Sequence, residues 1–168
     1  MLSKFKLYKL KKKLKLKNKN IEIFSDIIIS NISMINFGDF IYIGEKAKIY
    51  GKGNLFIGDH VIIGPNISVY TSVHNYDSDY LPYGFQDEIA DVYIGESVWI
   101  GADVSLLPGV KIGEGAVIGL GSIVTKDVPP FSVIAGNPAK IIASRDKEYY
   151  YKLKETEKFY LQTKWNKS

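Results

Sequence analysis

Two histidines and no cysteine bound the chemistry open to this 168-residue chain. Without Cys, disulfides, thiolate metal sites and a thiol nucleophile are excluded. His74 is the last residue of the hexad VYTSVH and directly precedes a long polar and aromatic stretch, NYDSDYLPYGFQDEIADVY (75–93). An imidazole titrates near neutrality, so at the edge of a loop it suits a general base. His60 is the fourth residue of IGDHVI, a position filled by Lys46, Ser97, Asp103 and Gly115 in other hexads. It reads as a solvated corner residue. Two histidines cannot supply the three imidazoles of an open zinc site, so no metal is expected.

The elements that must position these residues are written with a period of six. Residues 94–129 run IGESVW, IGADVS, LLPGVK, IGEGAV, IGLGSI, VTKDVP. The first position is always aliphatic, the second is Gly at 95, 101, 113 and 119, and the fifth is always modest in size. This period fits neither a helix nor an alternating strand, and it is the mark of a hexapeptide β-helix. Each hexad then forms one strand and one corner, and three hexads close a triangular coil. The first and fifth residues point inward, and Gly at the second position is expected to supply the positive φ of a tight corner. Successive coils pair in parallel at a spacing of about 4.8 Å.

Upstream, hexads in phase begin at Phe37 (FGDFIY, IGEKAK, IYGKGN) and resume at Ile57 (IGDHVI, IGPNIS, VYTSVH). Leu55 and Phe56 interrupt the count, as a bulge or corner insertion. These hexads make four coils, and the off-phase residues 21–36 add a degenerate fifth. The fold expected is an all-β solenoid of parallel strands over residues 21–142, with an excursion loop at 75–93. Pro129 and Pro130 end the repeat, and Asn137 and Pro138 mark a turn. Within residues 143–168, the run 146–165 reads as one helix. Asp146 is its N-cap, no Gly or Pro interrupts it, and Tyr149, Leu153 and Tyr160 form a stripe against the solenoid.

The formal charge of +4 is unevenly placed, because residues 1–20 hold nine Lys and no acid. The remainder is therefore net acidic. Two readings of residues 1–20 stay open: a cap on the open end of the solenoid, or a peripheral contact with anionic lipid or a lipid-linked acceptor. The body has no matching basic face, which argues against nucleic acid. No apolar run approaches the roughly 18 residues of a membrane span, and the N-terminus has no secretory apolar region. A cytoplasmic location is expected, at the inner face of the membrane if the basic segment binds lipid.

The run VWIGADVSLLPGVKIGEGAVIGLGSIVTKDVPPFSVIAGNPAKII resembles the C-terminal signature of the left-handed β-helix hexapeptide acyltransferases. The nearest subgroup is the maltose, galactoside and xenobiotic acetyltransferases and the sugar O-acetyltransferases of surface-polysaccharide synthesis. IGDHVIIGPNISVYTSVH matches the same family, with His74 at the position of its catalytic histidine. The resemblance covers roughly residues 37–145. It implies a left-handed coil, acetyl-CoA as co-substrate, direct attack without an acyl-enzyme, and a homotrimer with CoA held between two prisms. Carried onto this chain, it makes His74 the general base and Trp99 the wall beside the thioester. Ala102 offers a backbone N–H to the developing oxyanion. Leu120 lies along the pantetheine arm, and Thr125 and Lys126 lie near the adenosine 3′-phosphate. Lys140 and Arg145 are neighbouring basic candidates.

The chain also departs from that pattern. Where galactoside and maltose relatives carry an acceptor-binding Asn, ungapped counting gives Gly44, with Tyr42, Tyr50 or Asn54 as replacements. The loop matches neither the maltose-type nor the antibiotic-type loop. It is expected to choose the acceptor, with Asp77, Asp79, Tyr80 and Tyr83 contacting sugar or orienting His74. The function expected is acetyl-CoA-dependent O-acetylation of a saccharide, a surface-glycan precursor. N-acetylation of an amino-sugar nucleotide is the alternative, followed by antibiotic acetylation and by a non-catalytic scaffold.

Overall fold

A computed structural model describes residues 20–24 and 26–167. The Lys-rich segment read as a cap or lipid contact falls almost wholly outside the described residues. Five coils stack along one axis. The first consists of β1 (Ile21–Ile23), β2 (Ile28–Ile29) and β3 (Ile35–Phe37). The second is β4 (Ile41–Ile43), β5 (Lys48–Tyr50) and β6 (Leu55–Ile57). The third begins with β7 (Ile62–Ile63) and β8 (Ser68–Tyr70), leaves the prism for a hairpin of β9 (Ser72–His74) and β10 (Asp87–Ile89), and closes with β11 (Val92–Ile94). The fourth is β12 (Trp99–Ile100), β13 (Ser105–Leu106) and β14 (Lys111–Ile112). The fifth has β15 (Val117–Ile118), β16 (Ile123–Val124) and a bridge from Val128 to Ile112.

Parallel pairing between coils builds three faces. The first face is β1-β4-β7-β12-β15, extended by β17 (Ser132–Gly136) and its antiparallel partner β18 (Ala139–Ser144). The second is β2-β5-β8-β13-β16 and the third β3-β6-β11-β14. We call the corner between first and second faces the first edge, that between second and third the second edge, and that leading into the next coil the third edge.

The hexad positions behave as their residue types require. Ile100, Leu106 and Ile118 at first positions, and Ala47, Val61, Val104 and Ala116 at fifth positions, are almost wholly buried. Each large aliphatic side chain contributes about 1.5–3 kcal/mol of burial. The one buried polar fifth residue, Ser122, donates to Gly119 O at 2.6 Å and accepts from Gly136 N at 3.2 Å, so it is satisfied.

The coil corners differ from expectation in detail. Of the two readings of the interruption, the corner insertion holds and the bulge does not: Leu55 and Phe56 both lie in β6, in register with Ile35 and Asn36 on one side and Val92 and Tyr93 on the other. The extra residues fall in the preceding corner, 51–54. The second-position glycines do not carry positive φ. That conformation belongs to the fourth position, at Phe40, Lys46, His60, Asn66, Ser97, Asp103, Gly109, Gly115 and Gly121. The second position instead needs closeness. A Cβ on Gly64 would sit 2.8 Å from Ala102 N, and one on Gly101 would sit 2.7 Å from Leu120 N. Only a hydrogen fits between stacked corner backbones.

The C-terminal run forms two short helices, α1 (Lys147–Glu155) and α2 (Tyr160–Trp165), rather than one. Asp146 is the N-cap, its Oδ1 accepting from Tyr149 N at 2.8 Å. The helix ends where the Thr156 hydroxyl donates to Lys152 O and Glu157 takes a φ of 52°. The bend lets Phe159 lie against His60 and buries Leu161. Tyr149 and Tyr160 are exposed, so the expected stripe is wrong. Tyr150 and Lys154 face the prism instead, and Lys154 Nζ reaches Glu114 at 2.6 Å and Glu96 at 2.8 Å.

These contacts make docking of the helices sensitive to alkali. Hydrogen bonds to Glu114 and Glu96 raise the pKa of Lys154. Burial, reinforced by Glu114, pushes the Tyr150 phenol up to about 12. Both groups hold protons more tightly folded than unfolded, so the stability they supply is complete below about pH 10 and is lost as pH rises past it. Near-UV circular dichroism from pH 9 to 12 should show the segment loosening. Tyr150→Phe should remove the tyrosine share of that transition; an unchanged profile would count against the assignment.

Candidate active site

The solenoid is interrupted at its second edge, and the residues there form a clasp. Thr71 is buried; its hydroxyl donates to Tyr50 O and accepts from Gly53 N. Ala90 N donates to Thr71 O at 3.0 Å, joining the two ends of the excursion. Asp91 Oδ1 accepts from Asn54 N at 2.6 Å and from Asn54 Nδ2 at 3.1 Å. The arm therefore spans 71–91, shifted from the 75–93 read in the sequence, because β11 already belongs to the prism. Val73, at the fifth position of its hexad, is exposed because the chain has already left the prism there.

His74 sits at the end of β9, opposite Asp87 of β10. Its Nδ1 lies 2.8 Å from Asp87 Oδ1, and its ring is 60% exposed. Lys52 Nζ reaches the other oxygen, Asp87 Oδ2, at 2.7 Å. The Lys52 ammonium first, then His74, holds the Asp87 carboxyl below the usual carboxylate range. An ionised carboxylate only accepts, so Nδ1 carries the proton and, in the neutral ring, the Nε2 lone pair is available. Tyr83 stacks on the imidazole at 4.0 Å and 6°. The ring is thus held from its edge and one face, with the basic nitrogen free. This geometry suits removal of a proton from a bound nucleophile.

Of the four residues expected to contact acceptor or orient His74, Tyr83 touches it. Tyr80 packs edge-on against Phe85 at 4.6 Å. Asp77 and Asp79 are exposed; Asp77 N closes a turn on Asn75 Oδ1. The carboxylate that meets His74 is Asp87, and neither it nor Lys52 was singled out from the sequence. The available signal was β-pairing, since the DEI run returns antiparallel to SVH. The proposed substitutes for the acceptor-binding Asn already have partners: Tyr42 packs at a tilt against Phe24, Tyr50 stacks with Tyr70, and Asn54 Nδ2 donates to Asp91. His60 is no solvated corner. It is sandwiched between Phe40 at 5.1 Å and Phe159 at 3.7 Å, and desolvation lowers its pKa.

The seven residues expected to bind cofactor do not share one surface. Ala102 and Leu120 occupy the first edge, and Lys140 lies beside it, opposite Ala135 in the β17–β18 hairpin. Leu120 is 79% exposed, and a Cβ on neighbouring Gly121 would meet nothing within 4 Å. Thr125 and Lys126 are exposed on the second edge, the edge that carries His74. Trp99, half exposed, and Arg145 instead line a cavity of about 260 Å³ beneath α1 and α2, with His60, Tyr150 and Phe159. Arg145 is therefore not placed with Thr125 and Lys126. Among the described residues, no group of three or more His, Cys, Asp or Glu converges to hold a metal.

Comparison with known proteins agrees with this architecture. The family model described as bacterial transferase hexapeptide (six repeats) matches residues 91–126. A galactoside O-acetyltransferase from Lactococcus lactis subsp. lactis is 41% identical over 107 residues, 64% of this chain and 51% of the relative. The chain spans about half to three fifths of the length of the curated relatives it matches first. A hexapeptide-repeat acetyltransferase from Vibrio cholerae, solved in complex with acetyl-CoA, superposes with a TM-score of 0.74 at 28% identity, covering 87% of this chain and 80% of that one. A maltose O-acetyltransferase from Clostridium difficile gives the same TM-score at 29% identity, covering 83% and 86%. Solenoid, repeat and relatives agree that the chain belongs to the hexapeptide-repeat acetyltransferase family, related to the galactoside and maltose O-acetyltransferases.

Proposed function

We propose that this protein transfers an acetyl group from acetyl-CoA to a hydroxyl of a saccharide, with His74 as general base. The observation that carries this reading is the His74 ring, fixed by Asp87 and Tyr83 with Nε2 free at the mouth of an aromatic arm. A sugar hydroxyl is a poor nucleophile until its proton is taken, and the lone pair of Nε2 supports that role for His74. Acetyl-CoA, when bound, supplies an activated thioester carbonyl. The first edge fits its pantetheine arm, because Leu120 offers exposed apolar surface beside the open backbone at Gly121. Thr125 and Lys126 are free on the second edge to meet phosphate. On the arm, Tyr76, Tyr80 and Phe85 expose flat apolar faces, and Asp77 and Asp79 expose acceptors, a combination suited to sugar rings.

His74 and the pair Ala102 and Leu120 lie on different edges of one prism. A site holding all three is completed by setting the second edge of one chain against the first edge of another. This supports a homotrimer, in which three such grooves close. Sedimentation analysis should give three chains per particle.

The reading is tested by thiol release from acetyl-CoA with a panel of sugars, glycan repeat units and amino-sugar nucleotides. Turnover confined to hydroxyl acceptors is expected; preference for an amine would move the assignment to N-acetylation. Leu120→Asp should raise the KM for acetyl-CoA about tenfold, the equivalent of losing the burial of roughly two methylenes. Absence of both turnover and acetyl-CoA binding by calorimetry would sink the reading.

A further inference from the structure

The base on the arm is tied to the solenoid by one side chain from a different coil. Lys52 lies in the corner between β5 and β6, and its Nζ reaches Asp87 Oδ2 while His74 Nδ1 reaches Asp87 Oδ1. The lysine and the imidazole thus share one carboxylate. Lys52 is itself 64% exposed, so the ion pair adds little to stability. Its effect on charge is a separate matter. A carboxylate facing only an imidazole favours the imidazolium, which is the inactive form of a base. A carboxylate already facing an ammonium favours it less, while still accepting the Nδ1 hydrogen bond that fixes the tautomer.

Building on the acetyl-transfer reading above, we propose that Lys52 is a positioning residue that holds Asp87 for His74 and keeps the imidazole deprotonated toward lower pH. Among the described residues, three titratable groups stand close to His74. Asp87 faces it from β10, Tyr83 covers its ring, and Glu88 stands opposite the adjacent Val73. Lys52 is the cation that meets Asp87. The lysine also comes from a corner shaped for the arm: Gly51 takes a φ of 124° against Thr71, and Gly53 N donates to the Thr71 hydroxyl. Its ammonium therefore reaches the arm from the same clasp that closes it.

The experiment compares the full chain with Lys52→Met and Lys52→Arg by two readouts. The first is the pH titration of the His74 ring followed by NMR, which needs no activity. With two histidines in the chain, His60→Asn serves to assign the signals. In Lys52→Met the His74 titration should move upward by about half a pH unit, the size expected for removing a screened charge a few ångströms beyond its partner. Lys52→Arg should leave it in place. The second readout is kcat/KM against pH. The acid limb should move up by the same amount in Lys52→Met, so activity falls about threefold on that limb and little on the alkaline plateau. A uniform loss at every pH with an unmoved titration would reduce Lys52 to a mechanical tie and overturn the proposal. An unmoved titration with an unchanged profile would overturn it as well. If no acceptor is acetylated by the parent chain, the functional reading fails, and the NMR arm still decides the influence of Lys52 on His74.

Discussion

Substituting alanine for His74 is expected to lower kcat/KM for acetyl transfer to a hydroxyl by about 10²–10⁴-fold, the usual worth of a positioned base. The loss should appear with the fold intact, because the ring is 60% exposed and supports nothing in the prism. Far-UV circular dichroism and the unfolding midpoint should match the parent. KM for acetyl-CoA should change little, since the residues expected to hold it lie on other coils. Asp87→Ala acts through the ring rather than on the acceptor, so a smaller loss of about tenfold is expected. The double variant should be no worse than His74→Ala alone, because both removals act on one device. An amine acceptor would soften the effect, since amines need less help in losing a proton. His74→Ala turning over a sugar acceptor within threefold of the parent would remove the base assignment.

Gly101→Ala should destabilise the protein by about 1–3 kcal/mol or more, while Asp103→Gly, two residues on, should leave stability nearly unchanged. The added methyl at 101 would lie 2.7 Å from Leu120 N and 2.9 Å from Leu120 Cα, atoms of a paired backbone that cannot step aside. The coils would have to part locally, and the cost is that of overpacking. At Asp103 the side chain is exposed and φ is 58°, so glycine relieves a conformation that L-residues resist while gaining freedom in the unfolded chain. Those two terms oppose each other and nearly cancel. Denaturant midpoints at constant m-value test the contrast. Equal effects at the two sites would show that φ, rather than coil spacing, is what selects glycine.

The contrast also marks where sequence reasoning stops. A period of six names the solenoid and assigns the inward residues correctly wherever the coil stays closed, because burial alone selects Ile100, Leu106 and Val104. It does not separate a glycine required by φ from one required by proximity, since both appear as Gly at a corner. The second requirement is set by a neighbouring coil, as when Ala102 N passes over Gly64. The split of the last helix escaped for a similar reason. No Gly or Pro stands between Glu155 and Tyr160, and the break follows from Phe159 meeting His60. His74 was readable as a candidate base because it stands where the rhythm ends. Asp87 was not, because it becomes a neighbour only when the arm folds back on itself. Asp77 and Asp79 were nearer in sequence and drew the assignment.

The clasp at the second edge carries a consequence for how such proteins diversify. Thr71, Ala90, Asn54 and Asp91 bind the two ends of the arm to each other and to the coil. Closing a longer or shorter insertion costs only a slowly growing entropy, and that cost falls outside the clasp. The arm is therefore an exchangeable cartridge. The same clasp can close an arm of another length and chemistry without retuning the solenoid, provided the replacement brings its own histidine with a carboxylate opposite it, as His74 and Asp87 stand here. Grafting arms between relatives at positions 71 and 91 should move acceptor choice with the arm.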